Sequence, residues 1–205
     1  MSQIKLLHSG GNGVILAAPS SNPASDRTLT LPGDADGTIL TSNSSTGKIL
    51  QVKQTPKTDQ FTTTSYTFVD ITGMSVSITP ASASNKILVQ VTILAGGTAS
   101  NAAAFNLVRD STHIGVPTGS ASLGGSSRDS TFGPLSHDNA YRLENVGFNF
   151  LDSPNTTSAT TYKVQASVYD SRQLSINVPT TVNTSGSSTY TATGISTITV
   201  MEVAA

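Results

Sequence analysis

The groups that could do chemistry in this chain are few: three histidines, twelve acids and several runs of serine. His8, His113 and His137 share no short ligand spacing, so one copy of the chain is not expected to build a metal site from them. Gly10-Gly11-Asn12-Gly13 has the glycines of a phosphate cradle. It lacks the Lys-Ser/Thr ending and the following helix that would turn a positive dipole end toward a phosphate. Asp34-Ala35-Asp36-Gly37 begins like a calcium loop, and then the later ligands and the closing Glu are missing. Around Ser122 the run Ser120 to Gly124 misses the first glycine of a nucleophile elbow, and no strand–turn–helix surrounds it. Asp129 with Asp138, or Asp138 with Glu144, could supply two carboxylates for glycoside hydrolysis. Twelve acids give such pairs by chance. No catalytic residue and no cofactor is assigned, and an enzyme is not expected.

One mixture of side chains stands apart. Arg128-Asp129-Ser130-Thr131-Phe132 and His137-Asp138-Asn139-Ala140-Tyr141 bring polar, planar and aromatic groups into one loop region. Saccharide-binding surfaces use such mixtures, with rings to stack on and Asp, Asn or Arg to meet hydroxyls. Arg128, Asp129, Phe132, His137, Asp138 and Tyr141 are therefore the candidate contact residues.

These residues need a scaffold, and the patterning says it is made of strands. Asn85 to Gly96 alternates strictly: Ile87, Val89, Val91 and Ile93 fall on one face, Lys86, Leu88, Gln90, Thr92 and Leu94 on the other. Further strands are expected at Ile49–Gln54, Ser65–Asp70, Met74–Thr79, Ala102–Arg109 and Thr112–Ile114. Later ones are expected at Tyr141–Leu151, Thr161–Tyr169, Leu174–Val178 and Ile195–Val203. Asp110-Ser111 reads as a hairpin turn, and Asp152 to Thr157 as the link that pairs the strands on either side of it. Gly115–Pro134 and Thr180–Thr191 read as long loops. No amphipathic helix of useful length is visible. The expected fold is all-β: a jelly-roll-like antiparallel sandwich over residues 48–205.

Residues 1–47 differ in kind. Short apolar pieces, carrying Ile4, Leu6, Val14, Leu16, Leu29 and Leu31, alternate with turn clusters rich in Gly, Pro, Ser and Asn. Such pieces are too short to bury a core by themselves. They are expected to dock on identical segments or on a larger assembly.

The totals bound the rest. Hydrophobic residues make up 36% and charged residues only 11%, and 11 basic against 12 acidic residues leave a net charge of −1. A basic footprint for nucleic acid is missing, and no apolar run is long enough for a signal peptide or a membrane span. The expected product is soluble, made in the cytosol, and exported only by a route such as lysis. With no cysteine, disulfides and thiolate metal sites are excluded.

Several phrases resemble a known family. TLTLPGDADGTILTS (Thr28 to Ser42) is similar to a segment near the N-termini of tailed-bacteriophage fibre proteins. Phe68 to Ile93, Phe150 to Gln165 and Ser196 to Ala205 resemble virion structural proteins of phages of aquatic bacteria, cyanophages especially. The resemblance implies a homotrimeric fibre or knob with a β head similar in shape to C1q or tumour-necrosis-factor heads. It implies a virion location, an N-terminal anchor on other virion proteins, and host surface polysaccharide as the receptor, with neither nucleic acid nor membrane insertion involved. No extended repeat or coiled coil precedes the head, so the fibre would be short. A capsid decoration (cement) protein and a tail-borne polysaccharide-degrading enzyme are the alternatives.

Overall fold

A computed structural model describes residues 3–7, 9–11, 13–17, 49–98, 101–116, 130–137, 139–169, 172–181 and 191–205. The chain divides into two compact units, Met1–Ser44 and Ser45–Ala205. In the first, β1 (Gln3–Leu7) and β2 (Gly13–Ala17) form an antiparallel ribbon, with Ile4 opposite Leu16 and Leu6 opposite Val14.

The second unit is an all-β antiparallel sandwich. One sheet holds β3 (Ile49–Lys57), β4 (Phe61–Thr63), β6 (Lys86–Gly97), β10 (Glu144–Asp152), β12 (Leu174–Ile176) and β13 (Ser196–Val203). Its spine is β6, which pairs with β13 and then β12 along one side and with β10 along the other. β3 edges β13 and β4 edges β12. An edge position explains how β3 runs on through Pro56, whose missing N–H has no ladder partner to satisfy there. The second sheet orders β5 (Val69–Ile78), β11 (Thr160–Val168), β7 (Asn101–Arg109) and β8 (Thr112–Ile114), and β9 (Phe132–His137) also pairs with β7.

Alternation builds the core. Ile87, Val89, Val91 and Ile93 of β6 are all buried, and they meet Phe105, Leu107, Tyr162 and Val164 of the second sheet. A run of stacked rings crosses from one sheet to the other: Phe105 to Phe132 at 5.3 Å, Phe132 to Phe148 at 5.2 Å, and Phe148 to Phe150 at 6.2 Å. Offset stacks of this kind add to the gain from burial alone.

The structure departs from the sequence expectation at several points, among them β4, which was not expected, and Tyr141–Leu143, which lies outside any strand. Ser65–Phe68 lies outside any strand, and the two expected strands on either side of Gly73 form the single strand β5. Ile71 to Met74 stand opposite Val164 alone, an irregularity of four residues against one in which Gly73 takes φ +85°. The strands flanking Asp152–Thr157 do not pair with each other: β10 joins β6 in one sheet and β11 joins β5 and β7 in the other. The link crosses the sandwich because the buried residues of both strands face the same core from opposite sides. Finally, the loop expected to last until Pro134 ends sooner, as Phe132 already lies in β9.

Candidate functional site

Beside the apolar core, several buried side chains are polar, and three clusters gather some of them. Asp152, at the end of β10, accepts two bonds from Arg109 Nη1 at 2.9 and 2.8 Å. It also accepts one from the Tyr162 hydroxyl at 2.7 Å. Burial, and next the bond to this carboxylate, push the Tyr162 phenol far above its ordinary value. β7, β10 and β11 are thereby pinned together.

Glu202 on β13 is fully buried. It accepts bonds from Asn85 Nδ2 at 2.6 Å, Gln51 Nε2 at 2.6 Å and the Ala81 N–H at 2.7 Å. Burial raises its pKa, and the donors from Asn85, Gln51, Ala81 and Ser82 outweigh that and hold it below its ordinary value. Asn177 is the third centre. Its Nδ2 donates to the Lys57 and Asp59 carbonyls, its Oδ1 accepts from Ser196 Oγ, and its backbone sits at φ +69°. The Lys57 side chain, itself buried, reaches Asp59 at 2.9 Å. These clusters tie strands together and leave no reactive group poised toward solvent.

The expected contact residues are only partly brought together. Arg128, Asp129 and Asp138 lie outside the described residues, as do Leu29 and Leu31 of the expected anchor. Phe132 is 8% exposed and belongs to the ring stack, so it supports the loop from inside the core. His137 stands in β9 opposite Asn101. Tyr141 is 43% exposed, and its N–H donates to Asn139 Oδ1. The adjacent Ala140 carbonyl accepts bonds from the Thr181 N–H and Thr180 Oγ1, which fastens this segment to the stretch after β12. The anchor residues Ile4, Leu6, Val14 and Leu16 occupy facing positions of the β1–β2 ribbon.

Both described ends of the long loop are tightly held. Thr131 Oγ1 donates to the Ile114 carbonyl and accepts from the Leu107 N–H. It also shares a bond with His113 Nε2 at 2.9 Å. Thr131 N–H donates to the Phe105 carbonyl. The threonine thus closes the loop against the β7–β8 hairpin.

A cleft that sequence reasoning missed opens beside β4. It encloses about 380 Å³ and is lined by Thr62, Thr63, Thr64, Ser65 and Gln173. All five side chains are neutral, with hydroxyls and an amide that both donate and accept. Thr63 Oγ1 accepts the Ser65 N–H at 3.0 Å, and the Ser65 carbonyl accepts the Val168 N–H at 2.9 Å. Tyr66 follows Ser65 in sequence and Tyr169 follows Val168; they are 50% and 55% exposed, and neither lines the cleft. The Gln173 carbonyl accepts the Thr98 N–H, and Thr98 Oγ1 is buried with no partner among the described residues. The one sequence signal was the hydroxyl run Thr62 to Ser65, which resembles any other turn-rich stretch of this chain.

Among the described residues, no group of three His, Cys, Asp or Glu is gathered closely enough to hold a metal ion. Nor, among them, is there a helix long and apolar enough to cross a membrane.

No protein-family model matches the chain, and no curated protein does. Partial likenesses appear among solved structures. The structure of the infectious bursal disease virus Gt strain aligns at a TM-score of 0.41 with 13% identity, over 83% of this chain and 45% of that one. The VP2 subviral particle of the same virus aligns at 0.34 with 14% identity, over 75% of this chain and 39% of that one. The chain therefore spans less than half the length of these viral chains.

Proposed function

We propose that this chain is a virion structural protein of a tailed phage, a short tail-fibre or receptor-binding subunit that grips host surface polysaccharide. The observation that carries the saccharide part is the cleft of Thr62–Ser65 and Gln173, with the exposed Tyr66 next to Ser65 in the chain and the exposed Tyr169 next to Val168, whose N–H bonds the Ser65 carbonyl. Neutral hydroxyls and an amide match the hydroxyls of a sugar, and exposed rings offer faces for its C–H bonds. Without a charge in its lining, the cleft favours neutral saccharides over anions. The loop segment around Tyr141 forms a further contact. Residues 1–47 anchor the protein to other virion proteins, and the head is homotrimeric. Several copies convert weak single contacts into firm adhesion through effective concentration. The protein is made in the host cytoplasm and leaves with the virion on lysis. The reading assigns no catalysis.

The test is titration of the protein with a panel of neutral bacterial polysaccharides, read by NMR shifts of the tyrosine rings. Binding to one of them, weakened at least fivefold by Tyr66→Ala or Tyr169→Ala, supports the reading. A panel that leaves both rings unmoved overturns it. Light scattering on the full chain and on a chain starting at Lys48 tests the anchor, since a head that assembles without residues 1–47 leaves them free to bind the virion.

A second reading, a decoration protein on the capsid shell, draws on the exposed apolar side chains Ile49, Val52 and Leu151. A shell protein would cover them.

A further inference from the structure

The outer face of the β6 sheet carries a pattern that neither the core nor the cleft uses. Register places Val52, Met201, Leu88 and Leu151 side by side, one from each of the four strands β3, β13, β6 and β10. Val52 is 53% and Leu151 51% exposed, and Ile49 and Leu50 extend the apolar patch at the β3 edge with 57% and 45%. The next row on the same face is Gln54, Thr199, Gln90 and Asn149, again one from each strand. Within this row Gln54 Nε2 already donates to Thr199 Oγ1 at 2.8 Å. An apolar line that runs without a break over four neighbouring strands is unusual on a solvent-facing surface, where alternation normally puts polar groups.

We propose that this face packs against the same face of a second copy of the chain, related by a twofold axis. Three observations favour a second copy over a different partner. First, the only charge among the described residues of this face is Lys86 at one end, tied to Ser153 Oγ at 2.9 Å. Like faces therefore meet without repulsion. Second, side-chain amides carry both donors and acceptors, so the Gln and Asn row can pair with its own copy, which a purely accepting or donating row cannot. Third, the size fits. Four strands ~4.8 Å apart and about eight residues long, at ~3.4 Å per residue, give roughly 500 Å² per copy. Two such faces bury about 1,000 Å², the lower bound for a specific interface. Sheets stacked face to face at about −30° would lay one apolar row across the other.

The pairing goes beyond the fibre reading, which groups copies around a threefold axis. A dimer carries it, and so does a hexamer of paired trimers. The experiment is sedimentation of the full chain, wild type against Val52→Lys with Leu151→Lys, and separately Asn149→Lys. All three positions are on the outer face, so the variants should keep the wild-type circular-dichroism spectrum, which checks that they still fold. An even-numbered wild-type assembly that both variants halve, with an apparent Kd raised at least tenfold, is expected. A monomer at about 100 µM, well above the Kd range of specific interfaces, overturns the proposal and gives the face to another protein. A trimer, whether or not the substitutions disturb it, also overturns the twofold pairing and leaves the fibre reading standing. An even-numbered assembly that neither variant disturbs overturns it too, by placing the contact elsewhere.

Discussion

Asp152 shows how much of this protein's order rests on single side chains. Asp152 is 6% exposed, and among the described residues its carboxylate is satisfied by Arg109 and Tyr162. Tyr162→Phe removes one donor from a buried acceptor and is expected to cost about 1–3 kcal/mol in urea unfolding. Asp152→Ala strands both partners and is expected to cost about 3–5 kcal/mol by the same measurement. Glu202 gives a pH signature. Its folded carboxyl holds a proton less readily than the unfolded one, so the unfolded chain takes up the proton first as pH falls. The stability it contributes is complete above its ordinary value of 4.5 and is lost as pH drops through the lower folded value. Unfolding midpoints measured from about pH 6 to about pH 3 should fall steeply for the wild type. Glu202→Gln should start lower and fall less.

At the scale of elements, β6 and β11 were legible from sequence by their alternation, and β7 and β13 by their apolar runs. What was not legible depends on partners far away in the chain. β10 and β11 are neighbours in sequence, and nothing local says that a core lies between them. The same holds for Asn177, Lys57 and Glu202, whose roles appear only when residues more than a hundred positions apart meet. Phe132 looked like a surface ring because Gly133 and Pro134 beside it disguise β9 as loop, and it is a core ring. The cleft at β4 joins Thr62–Ser65 to Gln173, just before β12 and far away in the chain, so its five residues were invisible as a group. Gly115 tests how firmly the long loop is rooted. It sits at φ +67°, and an added Cβ would lie 2.9 Å from Thr131 Cγ2. Gly115→Ala is therefore expected to cost roughly 1–3 kcal/mol. The change should show as a lower melting temperature and as easier proteolysis of the loop.

For the molecule as a whole, the sheets are closed by pairings between distant parts of the chain: β13 lies between β3 and β6, with Gln51 bonded to Glu202 across 151 positions. Such topology folds slowly, on the ms to s scale. Removing Ser196–Val203 would leave β3 without a partner and β6 open along much of one side. Loss of the cooperative melt is the expected result, measured by circular dichroism. The bond between Tyr162 and Asp152 also has an optical consequence. The chain has five tyrosines and no tryptophan, so near-ultraviolet absorbance beyond the phenylalanine band reports on phenols alone. Because folding raises the Tyr162 value, its contribution to stability is full below the ordinary phenol value of 10.0 and is lost as pH rises beyond it. In alkali this ring can become a phenolate only when the sandwich opens. A slow absorbance rise, following the instantaneous one after a jump to high pH, would clock the opening of the native protein with a colour change that needs no added dye.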